Sequence, residues 1–93
     1  IVLASHLLDC HNIAIMPHTK CAMASLNLPE VQTRLTDLSG MDFSSFEPRM
    51  IEDWEGKLRA DVASLKANKL LNEGAVVRGA RYDVDTGMVH WVC

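Results

Sequence analysis

The sequence lacks several features that would define its class at once. Its 93 residues contain no cluster of Lys and Arg, and the formal net charge is −3. We therefore expect no nucleic-acid partner and no anionic membrane partner, because both require clustered cations. No apolar run approaches the roughly 20 residues of a membrane span. The apolar start also lacks the basic residues and the small-residue cleavage site of a signal peptide.

Cysteine is scarce as well. Cys10, Cys21 and Cys93 make an odd number at irregular spacing, which does not form the disulfide framework of a small secreted domain. A reducing compartment is expected, and together with the acidic charge balance this favours the cytoplasm.

Hydrophobic residues make up 48% and charged residues 23%, a composition typical of a globular chain. The chain starts at Ile1 inside an apolar pattern, so we expect further residues upstream.

Apolar periodicity predicts an alternation of helices and strands. The predicted elements begin with the end of a helix over 1–9, a strand buried on both faces over 13–16 and a possible helix start at 22–25. Helices over 29–38 and 48–67 follow, and then strands over 75–84 and 88–92 around a turn at 85–87. We therefore predict an α/β fold with a small, mostly parallel sheet flanked by helices and a C-terminal β-hairpin. No repeat or linker is visible, so residues 1–93 are predicted to form a single domain.

The helix predicted over 48–67 carries the strongest periodic pattern. It has an apolar stripe formed by Ile51, Trp54, Leu58, Val62 and Leu65. A stripe of this kind faces either its own core or a neighbouring subunit, and we expect it to face its own core. Phe43, Phe46 and the C-terminal strand are better candidates for a subunit contact, because a terminal hairpin leaves a strand edge free.

His18 and Cys21 form a His-x-x-Cys pattern in the loop that follows the first predicted strand. Open α/β sheets place ligand sites at the carboxyl ends of their strands. An imidazole nitrogen and a thiolate are both good zinc ligands, and two intervening residues allow both to reach one ion. The spacing alone is compatible either with a metal site or with a packed histidine beside an inert cysteine.

The other potential metal ligands have no such arrangement. Cys10 and His11 lie before the strand, more than ~13 Å from the His18 loop at about 3.3 Å per strand residue. His90 and Cys93 belong to the terminal hairpin, and His6 to the first helix. We expect structural or surface roles for all of them.

These segments resemble the β-class carbonic anhydrases. The resemblance rests on three segments in the family's order: Leu7-Leu8 through Ile13-Ala14-Ile15-Met16-Pro17-His18-Thr19-Lys20-Cys21, then Arg59 to Leu71, and last Val77 to Gly87 with its Gly-x-x-Tyr-Asp-Val-x-Thr-Gly pattern. It implies that residues 1–93 are the C-terminal portion of a β-carbonic-anhydrase-like domain. Two positions depart from the family, which commonly has Gly where Ala22 stands and Asp or a small residue where Lys20 stands. Lys20 either favours an anion such as bicarbonate or faces solvent.

The resemblance implies zinc as cofactor, with His18 and Cys21 as two of its ligands. A third ligand would be a Cys in an upstream Cys-x-Asp-x-Arg segment, whose Asp–Arg pair flanks the metal and has no counterpart in this sequence. Arg78, Arg81 and Asp83 are not substitutes, because the hairpin pattern explains them. The implied reaction is the reversible hydration of carbon dioxide to bicarbonate by zinc-bound hydroxide, at a metal that lowers the pKa of water to about 7. The implied assembly is a homodimer or higher homo-oligomer.

Two alternatives stay open. One is a truncated or degenerate scaffold that assembles without catalysis, because the first ligand and the Asp–Arg pair are absent from the sequence. The other is a related hydrolase of carbonyl sulfide or carbon disulfide, since the same nucleophile attacks either molecule.

Overall fold

The computed structural model describes all 93 residues and contains four helices and three strands. They are α1 (Val2–Leu7), β1 (Asn12–Ile15), α2 (Ala22–Ser25), α3 (Leu28–Ser39), α4 (Trp54–Lys66), β2 (Val76–Tyr82) and β3 (Val89–Trp91). The chain divides into two compact units. The first, here the sheet unit, comprises Ile1–Thr19 and Asp53–Cys93, and the second, here the helical unit, comprises Lys20–Glu52. No helix is long and apolar enough to cross a membrane.

The sheet has the strand order β1-β2-β3. β1 and β2 are parallel, in a register that runs from Asn12 opposite Val76 to Ile15 opposite Gly79. β2 and β3 are antiparallel and form the predicted hairpin. Gly87 in its turn has φ +72°, a conformation that glycine adopts without steric cost. The α/β class with a C-terminal hairpin is confirmed, in a mixed sheet with one parallel and one antiparallel strand pair.

The core of the sheet unit lies between α4 and the sheet. Leu58 and Val62 on α4 are 2% and 3% exposed and pack with Val77 of β2 and with Leu71. Trp54 and Leu65, from the same helical stripe, pack at the margin of this cluster. The stripe on α4 therefore covers the chain's own sheet, as its periodicity predicted.

The helical unit is organised by local hydrogen bonds at the two ends of α3. The Asn27 side chain caps its first turn by accepting from the Glu30 N–H at 3.2 Å, and Gly40 ends it in the left-handed conformation at φ +71°. Phe43 and Phe46 then meet edge to face, with ring centroids 5.7 Å apart. The subunit contact predicted for these two rings stays a prediction.

Two details differ from the sequence-based prediction. α4 begins at Trp54 instead of residue 48, because Asp53 caps it and accepts from the Gly56 N–H at 3.0 Å. Ile51, which precedes this cap, donates its N–H to the Met23 carbonyl at 2.9 Å and lies outside the helix. β1 packs only one face against the core, through Ile13 and Ile15. Ala14 on the other face and Met16 just beyond the strand are exposed.

Candidate metal site

His18 lies where β1 leaves the regular sheet. It forms an isolated parallel bridge with Tyr82, the last residue of β2. The Tyr82 N–H donates to the Pro17 carbonyl at 2.9 Å, and the Tyr82 carbonyl accepts from the Thr19 N–H at 2.9 Å. Pro17 has no N–H and interrupts the strand, but its carbonyl still pairs with β2. His18 is therefore fixed at the carboxyl end of β1, as predicted.

The ring of His18 has one nitrogen engaged and the other available. Nδ1 lies 2.8 Å from the Thr19 carbonyl oxygen. A carbonyl oxygen only accepts, so Nδ1 carries the hydrogen, and in the neutral form of the ring Nε2 keeps its lone pair. Metal-binding histidines show this arrangement, in which a carbonyl or carboxylate fixes the tautomer from the second ring nitrogen. The His18 residue is exposed, so Nε2 is chemically suited to bind a metal ion.

Cys21 belongs to the helical unit and stands immediately before α2. It has an extended backbone, with φ −68° and ψ 125°, and its carbonyl accepts from the Ala24 N–H at 3.0 Å. Its thiol is free and the residue is half-buried. Lys20, just before it, has φ +53°, a left-handed conformation that is uncommon for a residue with a side chain.

The remaining histidines and cysteines do not add a ligand set. No group of three or more His, Cys, Asp or Glu side chains is placed to hold a metal ion. His11 pairs with Asp9 before β1, and His6 Nε2 donates to the Leu70 carbonyl at 2.7 Å. Cys93 packs beside the core. These 93 residues therefore contain no preformed set of three metal ligands.

The hairpin arginines are engaged with aromatic rings. The guanidinium of Arg78 lies 4.1 Å from the ring centroid of Trp91, and that of Arg81 lies 3.9 Å from the ring centroid of Trp54. Such cation–π contacts stabilise a structure without any chemistry at the ring. Each of the two arginines thus has an aromatic partner in the fold, that of Arg78 within the hairpin and that of Arg81 on α4.

Sequence reasoning did not single out Thr19, which touches both His18 and the hairpin. Its hydroxyl accepts from the Val84 N–H at 3.0 Å. A threonine between a histidine and a lysine carries no distinguishing pattern. The partner lies 65 residues further along the chain, so only the folded structure identifies this contact.

Comparison with known proteins supports the resemblance inferred from the motifs. No protein family profile matches the sequence, and no curated protein matches it. Solved structures do match. The carbonic anhydrase from Streptococcus mutans shows 30% identity and a TM-score of 0.74, over 99% of this chain and 55% of that one.

Two further matches extend the likeness to other organisms. The carbonic anhydrase from Glaciozyma antarctica shows 23% identity and a TM-score of 0.73, over 99% of this chain and 57% of that one. The beta-carbonic anhydrase isoform I from Trichomonas vaginalis shows 18% identity and a TM-score of 0.76, over 97% of this chain and 54% of that one.

The chain therefore has the fold of part of a carbonic anhydrase domain, and its resemblance to the β-class carbonic anhydrases is confirmed. It spans little more than half the length of the structures that it matches.

Proposed function

We propose that this chain is part of a zinc-dependent carbonic anhydrase that catalyses the reversible hydration of carbon dioxide to bicarbonate. One observation carries the proposal: the Nδ1–H of His18 is held by the Thr19 carbonyl at 2.8 Å, which leaves Nε2 free to bind a metal. The match to carbonic anhydrase structures, one of them at 30% identity, supports the same assignment.

His18 through Nε2 and Cys21 as a thiolate would hold the zinc ion, together with a cysteine from outside these 93 residues. The donor set fits, because neutral imidazole and thiolate are the ligands that zinc takes in sites of this kind. When bound, zinc lowers the pKa of a water molecule to about 7 and so supplies a nucleophile at neutral pH. His18 contributes an oriented ring, whose Nδ1 is hydrogen-bonded to the Thr19 carbonyl.

Zinc content of the full-length protein tests the ligand assignment. We expect about one zinc per chain in the wild type, and less than about half an equivalent in His18→Ala and Cys21→Ala, because loss of one ligand opens the site. Carbon dioxide hydration should fall to background in both variants.

Two matched variants control for the loss of a histidine or a cysteine as such. His90→Ala removes an exposed histidine in β3, and Cys10→Ala removes an exposed cysteine before β1. Both should keep their zinc and their activity. Full zinc retention in His18→Ala would refute the assignment.

The second candidate is an assembly subunit without catalysis. It is favoured by the absence of any group of three potential metal ligands within the chain. The same experiment separates the two functions. A full-length wild type without zinc, hydrating carbon dioxide at background, would support the assembly subunit.

We also propose that the protein works as a homodimer or higher homo-oligomer. β3 lies at an end of the strand order, and the Trp91 side chain within it is 53% exposed. An edge strand with exposed apolar residues is a common surface for pairing with a second chain.

A further inference from the structure

We propose that Thr19 is a positioning residue for His18, and that through Thr19 the closing hairpin fixes the orientation of the His18 ring. The part of this proposal that concerns metal binding rests on the proposed function. The part that concerns the ring itself rests only on hydrogen bonds within the sheet unit.

Thr19 makes contacts in two directions. Toward His18, its carbonyl accepts from Nδ1 at 2.8 Å. Toward the hairpin, its N–H donates to the Tyr82 carbonyl at 2.9 Å, and its hydroxyl accepts from the Val84 N–H at 3.0 Å. Tyr82 ends β2, and Val84 lies in the turn that follows. Thr19 is thus held to the hairpin by two hydrogen bonds, one from its N–H and one to its hydroxyl.

Fixing Thr19 in this way has a chemical consequence at His18. The Thr19 carbonyl accepts the hydrogen bond from Nδ1, and the contacts with the hairpin hold the N–H and the side chain of the same residue. They therefore limit how far this carbonyl can move away from the ring. While they hold, the ring keeps its hydrogen on Nδ1 and presents Nε2 as a lone pair. Groups that orient a metal-binding histidine from its second nitrogen typically change metal affinity 10–100-fold when removed.

The hydroxyl of Thr19 is the contact that mutation can remove selectively. Valine keeps the β-branched shape and the restricted χ1 of threonine but has no acceptor for the Val84 N–H. Serine keeps the acceptor. Thr86→Val is the matched control, because the Thr86 hydroxyl also accepts a backbone hydrogen bond in this hairpin, from the Met88 N–H at 3.2 Å.

The first measurement uses the full-length protein without metal and with 15N-labelled histidine. The 15N shifts of the His18 ring report which nitrogen carries the hydrogen. We expect a single Nδ1–H form in the wild type, Thr19→Ser and Thr86→Val. In Thr19→Val we expect a mixture of the two tautomers.

The second measurement is zinc affinity of the same four proteins, by competition with a chromophoric chelator. Thr19→Val should bind zinc about tenfold more weakly, whereas Thr19→Ser and Thr86→Val should stay within about threefold of the wild type. A purely structural role for Thr19 would lower the melting temperature without changing the tautomer.

Two outcomes would overturn the proposal. One is an unchanged tautomer and an unchanged zinc affinity in Thr19→Val. The other is an equal loss in Thr86→Val, which would mean that any weakening of the hairpin has this effect. Zinc retention in His18→Ala would refute the proposed function, but the tautomer measured in the metal-free protein would still decide the role of Thr19.

Discussion

Among single residues, Asp83 organises the turn of the closing hairpin. Its Oδ1 accepts from the Asp85 N–H at 2.9 Å and from the Thr86 N–H at 3.3 Å. The hydrogen bond from Asp85 is the main cause that lowers the pKa of the Asp83 carboxyl below its ordinary value of 3.8. Thr86 and the charge of His90 act in the same direction on this pKa, and desolvation opposes them.

This lowered pKa predicts how the hairpin responds to acid. A carboxyl whose pKa is lower in the folded state stabilises that state above the unfolded pKa of 3.8, and the contribution is lost as pH falls through the lowered pKa. Asp83→Asn keeps an acceptor oxygen but does not titrate. As pH is lowered from about 6 to about 3, a broad range around the carboxyl pKa values, the melting temperature should therefore fall more steeply in the wild type than in Asp83→Asn. Parallel curves would contradict this prediction.

His18 and Cys21 are predicted as metal ligands from their chemistry and spacing, but the sequence does not show which nitrogen of the His18 ring carries the hydrogen. The position of His18 could be predicted, because an apolar strand ending at a proline places the following residue at the edge of the sheet. The hydrogen on Nδ1 could not be predicted, because it depends on which way the Thr19 carbonyl points. The N–H and the hydroxyl of Thr19 contact Tyr82 and Val84, which are remote in sequence, so the position of Thr19 itself emerges only in the folded chain.

Among the helices, the start of α4 shows how a local side chain decides an element boundary. Pro48 and Asp53 are both favourable at a helix N-terminus, so the sequence alone permits either start. Asp53 prevails because its carboxylate accepts from the Gly56 N–H, while the N–H of Ile51 is engaged by Met23. The apolar stripe predicted the buried face of the helix correctly, because the three- and four-residue spacing of its apolar side chains places them on one face wherever the helix begins.

The same cap predicts non-additive effects at Gly56. A Cβ at this position would collide with the Asp53 carboxylate. Gly56→Ala should gain about 1 kcal/mol of helix propensity but lose the cap, worth about 1 kcal/mol, so its net effect on the wild type should be near zero or destabilising. In an Asp53→Ala background there is no cap to lose, and the same change should stabilise by about 0.5–1 kcal/mol.

The double-mutant cycle consists of the wild type, Gly56→Ala, Asp53→Ala and the double variant. Urea unfolding measures the free energy of unfolding of each, and the Asp53→Ala background is the internal control. We expect an interaction free energy of about 1 kcal/mol between the two positions. An identical effect of Gly56→Ala in both backgrounds would show that the cap does not compete with the added methyl group.

For the molecule as a whole, the pairing of distant segments was the least predictable feature. The strands were located by their apolar runs, but the register of β1 with β2 joins residues about sixty positions apart. The one-sided packing of β1 was also missed, because an unbroken apolar run predicts burial on both faces. In this chain α4 covers the face that carries Ile13 and Ile15. Met16, beyond the end of β1, remains 41% exposed.

Within these 93 residues β3 has a strand partner on one side only, and from this edge we expect the full-length protein to self-associate. β3 ends the strand order, and the Val89 and Trp91 side chains on it are 40% and 53% exposed. Pairing through this edge would satisfy backbone groups and cover both side chains. Sedimentation at micromolar concentration should show a dimer or a larger species. A lysine on an edge strand disfavours pairing with a second chain. Val89→Lys should therefore weaken association by about tenfold, or about 1.4 kcal/mol.

Val84→Lys is the matched control for this experiment, because Val84 is similarly exposed, at 44%, but lies in the turn outside the paired strands. It adds the same charge to the same hairpin and leaves the edge of β3 intact, so it should associate like the wild type. Equal weakening in both variants would assign the effect to charge, and a monomeric wild type would rule out association altogether. A dimer that persists in Val89→Lys would instead place the contact elsewhere, and the exposed Phe46 side chain is then the next position to substitute.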